Sequence, residues 1–156
     1  MKVLVIGKGG RRILRERALG HIGGLTCGNE GSVRDWMRHG KFNVTQGKNF
    51  DRSGSIGPVL VTAEEFARFD DIRVTTRVNG EVRQNSNTRH LIFNLWDQIE
   101  HLSQAMTLEP GDVIFTGTPG GVGAAMKPPL FLKPGDRVRV EIEKLGTLEA
   151  VCKAEG

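Results

Sequence analysis

The segment from Ile72 to Gln84 limits the possible folds more than any other. Ile72, Val74, Thr76 and Val78 alternate with polar residues, the period-two pattern of a strand with one buried face. Asn79-Gly80 follows, then Glu81, Val82 and Arg83. An Asn-Gly pair between alternating runs marks a two-residue hairpin turn, because both central residues take positive φ. Glycine makes up 21 of the 156 residues, spread without a period. That distribution predicts many tight turns between short strands rather than a low-complexity chain.

Val3–Ile6 reads as a short buried strand closed by Gly7 and Gly9-Gly10. Arg15–His21 reads as a short helix and 22–33 as an extended segment. Residues 40–58, rich in Gly, Asn and Ser, read as loop. Thr62 with Glu65 three residues on predicts a capping box before a helical turn. A second helix is expected from Asn94 to Met106, where Leu95, Ile99, Leu102 and Met106 make one apolar stripe. Pro110-Gly111-Asp112 turns the chain into Val113–Phe115. Lys133-Pro134-Gly135-Asp136 leads into alternating Val138, Val140 and Ile142, and 147–151 closes another hairpin. No linker or repeat interrupts the chain. The expectation is one α+β domain over 1–156, dominated by strands.

Hydrophobic residues are 38% and charged residues 26%, enough for a core. No apolar run approaches 18 residues, so no membrane-spanning helix is expected. The first residues hold one lysine and a short apolar run, unlike a signal peptide. The expectation is a soluble cytoplasmic protein with no membrane partner. Net charge is +4. Apart from Arg11, Arg12, Arg15 and Arg17 the basic residues are dispersed, acidic ones follow closely, and tyrosine is absent. A solvated face, or a surface attracting small carboxylates, fits better than a nucleic-acid groove. Cys27 and Cys152 have no metal spacing and read as reduced thiols.

Several segments hold chemistry-bearing residues. Gly7-Lys8-Gly9-Gly10 after a strand invites a nucleotide reading, but a Rossmann fingerprint needs glycine where Arg12 stands, and the βαβ alternation is missing. Glu30, Arg34 and Asp35 lie on an extended segment leading into a turn. They read either as a surface ion pair or as a metal carboxylate with an arginine for a substrate carboxylate. Lys48, between Gly47 and Asn49-Phe50, is a solvated loop lysine or a partly buried one. The loop from Thr118 to Gly123 follows a strand and can present backbone N–H groups and the Thr118 hydroxyl to an anion. The four histidines show no pairing at metal or triad spacing.

These motifs, in this order, resemble the fumarylacetoacetate hydrolase family. The run comprises Gly47-Lys48-Asn49-Phe50-Asp51 with Ile56-Gly57-Pro58, then Arg77-Val78-Asn79-Gly80-Glu81, then Asn87-Thr88 with Ile92-Phe93. Leu108-Glu109-Pro110-Gly111-Asp112-Val113-Ile114 and Thr116-Gly117-Thr118-Pro119 with Gly121-Val122-Gly123 complete it. The resemblance covers about Val3 to Val151. It implies the family's C-terminal-domain fold, a mixed β-sandwich or roll. It implies divalent-metal-dependent hydrolysis, decarboxylation or keto–enol isomerisation of 2-oxo or 2-hydroxy-enoic dicarboxylic acids in aromatic catabolism. The cofactor implied is Mg²⁺ or Mn²⁺, with Ca²⁺ as an alternative. The partner implied is a small-molecule 2-oxo dicarboxylate, and the assembly a homodimer.

Carried over by motif, Glu30 stands for the family's third metal carboxylate, usually aspartate. Arg34 and Thr118 are substrate-binding, and Lys48 is both substrate-binding and catalytic. Met37 stands where a glutamine is usual. The family's other two metal ligands form a Glu-x-Glu pair. Counted back from Gly7, the second falls on Met1 and the first precedes it. The alternative expectation is therefore a truncated, non-catalytic family member that folds but binds metal poorly.

Overall fold

The computed structural model describes residues 1–39, 41 and 43–154. Among them, eight strands make two antiparallel four-stranded sheets. The strands are β1 (Lys2–Ile6), β2 (Ile22–Glu30), β3 (Gly54–Thr62), β4 (Arg73–Val78), β5 (Glu81–Asn87), β6 (Val113–Phe115), β7 (Arg137–Ile142) and β8 (Gly146–Val151). The first sheet runs β3-β2-β1-β6 and the second β5-β4-β7-β8. The α-helices are short, α1 (Arg34–His39) and α2 (Leu95–Ala105). The expected strand-dominated α+β fold is what forms. Leu4, Leu25 and Cys27 of the first sheet share one buried cluster with Val74, Val140 and Ile142 of the second.

The Asn79-Gly80 hairpin is present, with φ of 51° and 86° at the two turn residues. Asn79 also earns its place through its side chain. Its Nδ2 donates to Asp136 Oδ1 at 2.8 Å and its Oδ1 accepts from the Arg137 N–H at 2.9 Å, tying this turn to the start of β7. Helix α2 begins at a capping box in which Asn94 and Asp97 exchange bonds, 2.9 Å and 3.3 Å. Leu95 and Ile99 are buried as the stripe requires. Met106 is not: it is the extended C-cap residue, half exposed, because the helix stops at Ala105.

Three expectations change. Thr62 makes no capping bond; the turn after it, Ala63–Glu65, is a single 3₁₀ turn too short to build the reciprocal box. The loop expected over 40–58 holds a 3₁₀ turn at Thr45–Gly47, and β3 already begins at Gly54; Gly40 and Phe42 lie outside the described residues. The extended segment through Asp35 ends at Glu30, and Arg34 opens α1 instead.

Strand β1 carries a buried lysine. Lys2 alternates with Leu4 and Ile6, so its side chain enters the interior, where it is 2% exposed. Its Nζ donates to the Phe69 carbonyl at 3.2 Å. Burial pushes its pKa down to about 8, against the partial opposition of the Asp70 charge.

Charge is unevenly placed. Lys8, Arg11, Arg12, Arg15 and Arg17 against Glu16 hold the whole net charge of +4, and the rest of the chain carries 17 basic and 17 acidic residues. This segment leaves the far end of β1 and is pinned to α2. The Ile13 N–H donates to Ser103 Oγ at 2.9 Å, and Arg15 Nε pairs with Asp97 at 2.5 Å.

Candidate active site

The end of the first sheet where β1 begins gathers the start of β3 and the ends of β2 and β6, because all neighbours are antiparallel. Met1 and Gly28 face each other there, bonded in both directions at 2.5 and 2.8 Å. Residues opposite each other share a sheet face, and so do residues two apart along a strand. Met1, Val3, Gly28 and Glu30 therefore project from one face, opposite to Lys2. A Cβ at Gly28 would overlap Val3 and come within 2.6 Å of the Phe115 ring, so only glycine fits under those side chains. In the same register, any residues preceding Met1 would lie opposite Asn29 and Glu30.

Beyond Glu30 the chain is folded back by backbone bonds. The Gly31 N–H donates to the Ser53 carbonyl at 3.0 Å, and the Val33 N–H to the Gly47 carbonyl at 2.8 Å. Gly47 is buried against α1, where a Cβ would overlap Met37 and lie 2.7 Å from the Val33 carbonyl oxygen. Trp36 of α1 packs edge-on against Phe50, ring centres 5.6 Å apart. This close packing delivers Lys48 to Glu30. Its Nζ forms an ion pair with Glu30 Oε2, both side chains about a quarter exposed, 25% and 26%. Lys48 is thus the partly buried lysine, not the solvated one. Arg34, half-buried at the start of α1, makes no ion pair among the described residues. Of the two carboxylates weighed as a surface ion pair with Arg34, Glu30 pairs with Lys48 and the exposed Asp35 with Arg38 at 3.9 Å, so neither uses Arg34.

The second arm of the site follows β6. Thr116 donates to the Lys2 carbonyl through both its N–H, at 3.3 Å, and its hydroxyl, at 2.9 Å. Thr118, two residues on, is exposed. It is bonded to the second sheet, where Gln84 of β5 donates through Nε2 to Thr118 Oγ1 at 2.9 Å. Gly121, at φ 102°, lies directly on the Arg83 carbonyl. The structure brings Glu30 and Lys48 into contact and keeps Arg34 on the adjoining helix. Thr118 follows a strand that ends at the same end of the sheet, but its bond goes to Gln84 and not to the pair.

Sequence reasoning missed Gln84 and Gly28. Gln84 sits in a strand polar nearly throughout, so no periodicity marks it as buried. Gly28 is one glycine among many.

Among the described residues no three His, Cys, Asp or Glu side chains cluster. Glu30 is a single carboxylate already neutralised by an ammonium. The residues of this chain therefore do not by themselves fit a divalent cation, which takes six or more oxygens, largely anionic. A groove of about 380 Å³ lies elsewhere, lined by Arg68, Asp70, Asp71 and Arg89. Its charges are paired, Arg68 with Asp70 and Arg89 with Asp71, so it offers a ligand no free set of groups.

Residues 3–153 match the family described as fumarylacetoacetate (FAA) hydrolase C-terminal. The chain belongs to the fumarylacetoacetate hydrolase family. Known members of this family include hydrolases and isomerases. The chain is 47% identical over 147 residues to a human mitochondrial oxaloacetate tautomerase, covering 93% of this chain and 46% of that protein. It thus spans about half the length of the curated relatives it matches. A fumarylacetoacetate hydrolase from psychrophilic Exiguobacterium antarcticum superposes with a TM-score of 0.94 at 40% identity, covering 99% of this chain and 55% of the other. Fumarylpyruvate hydrolase from Pseudomonas aeruginosa, in complex with Mn²⁺ and pyruvate, gives 0.85 at 34% identity, covering 99% and 64%. The fold and the family expected from the motifs are therefore correct. No described helix is long and apolar enough to cross a membrane.

Proposed function

We propose that this chain is the catalytic domain of an enzyme that interconverts the keto and enol forms of a short 2-oxo dicarboxylate of the oxaloacetate type. The observation that carries this reading is the Lys48–Glu30 pair, held at the sheet end by Gly47 and Gly31. Enolisation passes a proton from C3 to solvent water and leaves negative charge on the C2 oxygen, which then takes a proton from water to give the enol. A preorganised ammonium in a partly desolvated site stabilises that charge where it develops. Lys48 has that role here. The Arg34 guanidinium offers a fork that matches one substrate carboxylate, and the Thr118 hydroxyl a donor for the other. Similarity to a tautomerase favours this reaction over hydrolysis or decarboxylation within the same family.

Glu30 contributes one carboxylate to a Mg²⁺ or Mn²⁺ site in this reading, with Ca²⁺ as the alternative ion. The Mn²⁺ in the Pseudomonas relative supports it. The lone carboxylate also supports the second reading, that these 156 residues fold without turnover.

Two measurements test these readings, one each. The natural full-length protein should accelerate the decay of enol-oxaloacetate absorbance in the presence of Mn²⁺, while the 156-residue chain should bind Mn²⁺ no better than millimolar by calorimetry. No acceleration of oxaloacetate enol decay by the full-length protein would sink the tautomerase reading, and micromolar Mn²⁺ affinity of the short chain would sink the ligand assignment.

We read the location as cytoplasmic, since both cysteines are free, as in a reducing compartment. We read the assembly as a homodimer. β3 is an edge strand whose Ile56, Val59 and Leu60 are each about half exposed, a surface that a second copy would cover. Light scattering at micromolar concentration should give twice the chain mass, and a monomer mass would end that reading.

A further inference from the structure

We propose that Gln84 is a positioning residue that turns the Thr118 hydroxyl into a hydrogen-bond donor aimed at the bound anion. The inference rests on the reading of Thr118 as a substrate contact and adds how its proton is directed.

The chemistry follows from one amide. Gln84 Nε2 lies 2.9 Å from Thr118 Oγ1 and 2.9 Å from the Pro119 carbonyl oxygen. A peptide carbonyl can only accept, so the atom facing it must be the nitrogen; the amide cannot be turned the other way. One of the two amide hydrogens is taken by Pro119. The other points at Thr118 Oγ1, which must accept it. A hydroxyl has one proton and two lone pairs. With one lone pair engaged by Gln84, the Thr118 proton is directed away from β5, to the exposed side of the loop. An anion is the partner such a proton serves best. Without Gln84 the hydroxyl could turn and donate to the nearest carbonyl instead.

The rest of the surroundings hold the amide in place. Gln84 is 9% exposed and stands opposite Thr76 in the β4–β5 ladder. Gly121 rests against the neighbouring Arg83 carbonyl, so the whole loop is seated on β5. A residue of the second sheet thereby fixes a donor on a loop that extends from the first.

The test uses the natural full-length enzyme and the kinetics of oxaloacetate tautomerisation. A donor that meets a substrate carboxylate acts in ground state and transition state alike, so its loss raises KM and leaves kcat nearly unchanged. Thr118→Val and Gln84→Met should each raise KM about tenfold, the usual effect of a hydrogen bond to a charged group. The double variant should raise it no further than Thr118→Val alone, because Gln84 acts through Thr118. Gln84→Glu is the second variant, should Gln84→Met fail to fold. Its carboxylate would take the Thr118 proton, so KM should rise at least as far as in Thr118→Val, while Thr118→Ser should keep the parent KM. Additive effects in the double variant, or a loss confined to kcat, overturn the proposal. If Thr118→Val leaves KM unchanged, the substrate role of Thr118 falls and the proposal falls with it. If Thr118→Val raises KM and neither Gln84 variant does, only the role of Gln84 is refuted.

Discussion

Lys48→Met in the natural full-length protein is expected to lower kcat for oxaloacetate tautomerisation by roughly 10²- to 10³-fold, the cost of removing one preorganised donor from a developing oxyanion. Methionine has nearly the length of the lysine stem, and the stem is already three-quarters covered. The fold should tolerate the change, because Gly47 and the Val33–Gly47 backbone bond hold the segment, not the ammonium. Removing the ammonium leaves the partly buried Glu30 carboxylate without its partner, so a small fall in melting temperature is expected beside the much larger loss of turnover. Lys153→Met, at an exposed position far along the chain, serves as the control. Equal turnover of the Lys48 and Lys153 variants would remove Lys48 from the mechanism.

Lys2→Met should make the protein more stable at neutral pH. A buried lysine whose pKa falls from 10.5 to about 8 binds its proton less well in the folded state than in the unfolded chain. Above pH 10.5 the amine is neutral in both states and costs nothing. As pH falls from 10.5 towards 8 the unfolded chain takes up the proton first, and stability drops. Below 8 the loss is complete, at most about 3 kcal/mol. Methionine removes this loss and keeps the apolar stem. The bond given up matters little, since the Phe69 carbonyl also accepts from Thr88 Oγ1 at 3.1 Å. A gain of about 1–3 kcal/mol is expected at pH 7. The gap between parent and variant should narrow as pH rises through the window from 8 to 10.5. Urea unfolding at pH 7 and pH 10 measures both points. A variant less stable than the parent at pH 7 would show that the ammonium is well served in its pocket.

These two lysines also mark what can be read from a sequence and what cannot. The Asn79-Gly80 turn was legible because positive φ at two adjacent residues is a local demand. Helix α2 was legible because its apolar period is long enough to count. Helix α1 was not: six residues with no buried side chain leave no stripe. Strand β3 hid among Gly, Ser and Pro, residues that ordinarily break strands, and its pairing with β2 forms across the 23 residues that separate the two strands. Lys2 looked like any terminal lysine, since burial is fixed by which strand covers it. Lys48 and Glu30 lie 18 residues apart, and spacing alone set Glu30 beside Arg34. Only the ordered set of motifs identified the pair as belonging together. Nothing local marked Gln84, because its partner belongs to the other sheet.

The placement of charge has a physical consequence of its own. With the entire excess of +4 held between Lys8 and Arg17 and the remaining charges cancelling in number, the excess positive charge is gathered at one end of β1. That end lies past Ile6, while Glu30 and Lys48 sit beyond the other end of the strand. In an electric field, or on a negatively charged resin, such a chain turns before it binds and attaches by its arginine-rich end. An immobilised preparation on a sulfonate matrix would then leave the Lys48 end in free solution, an orientation obtained without any chemical tether.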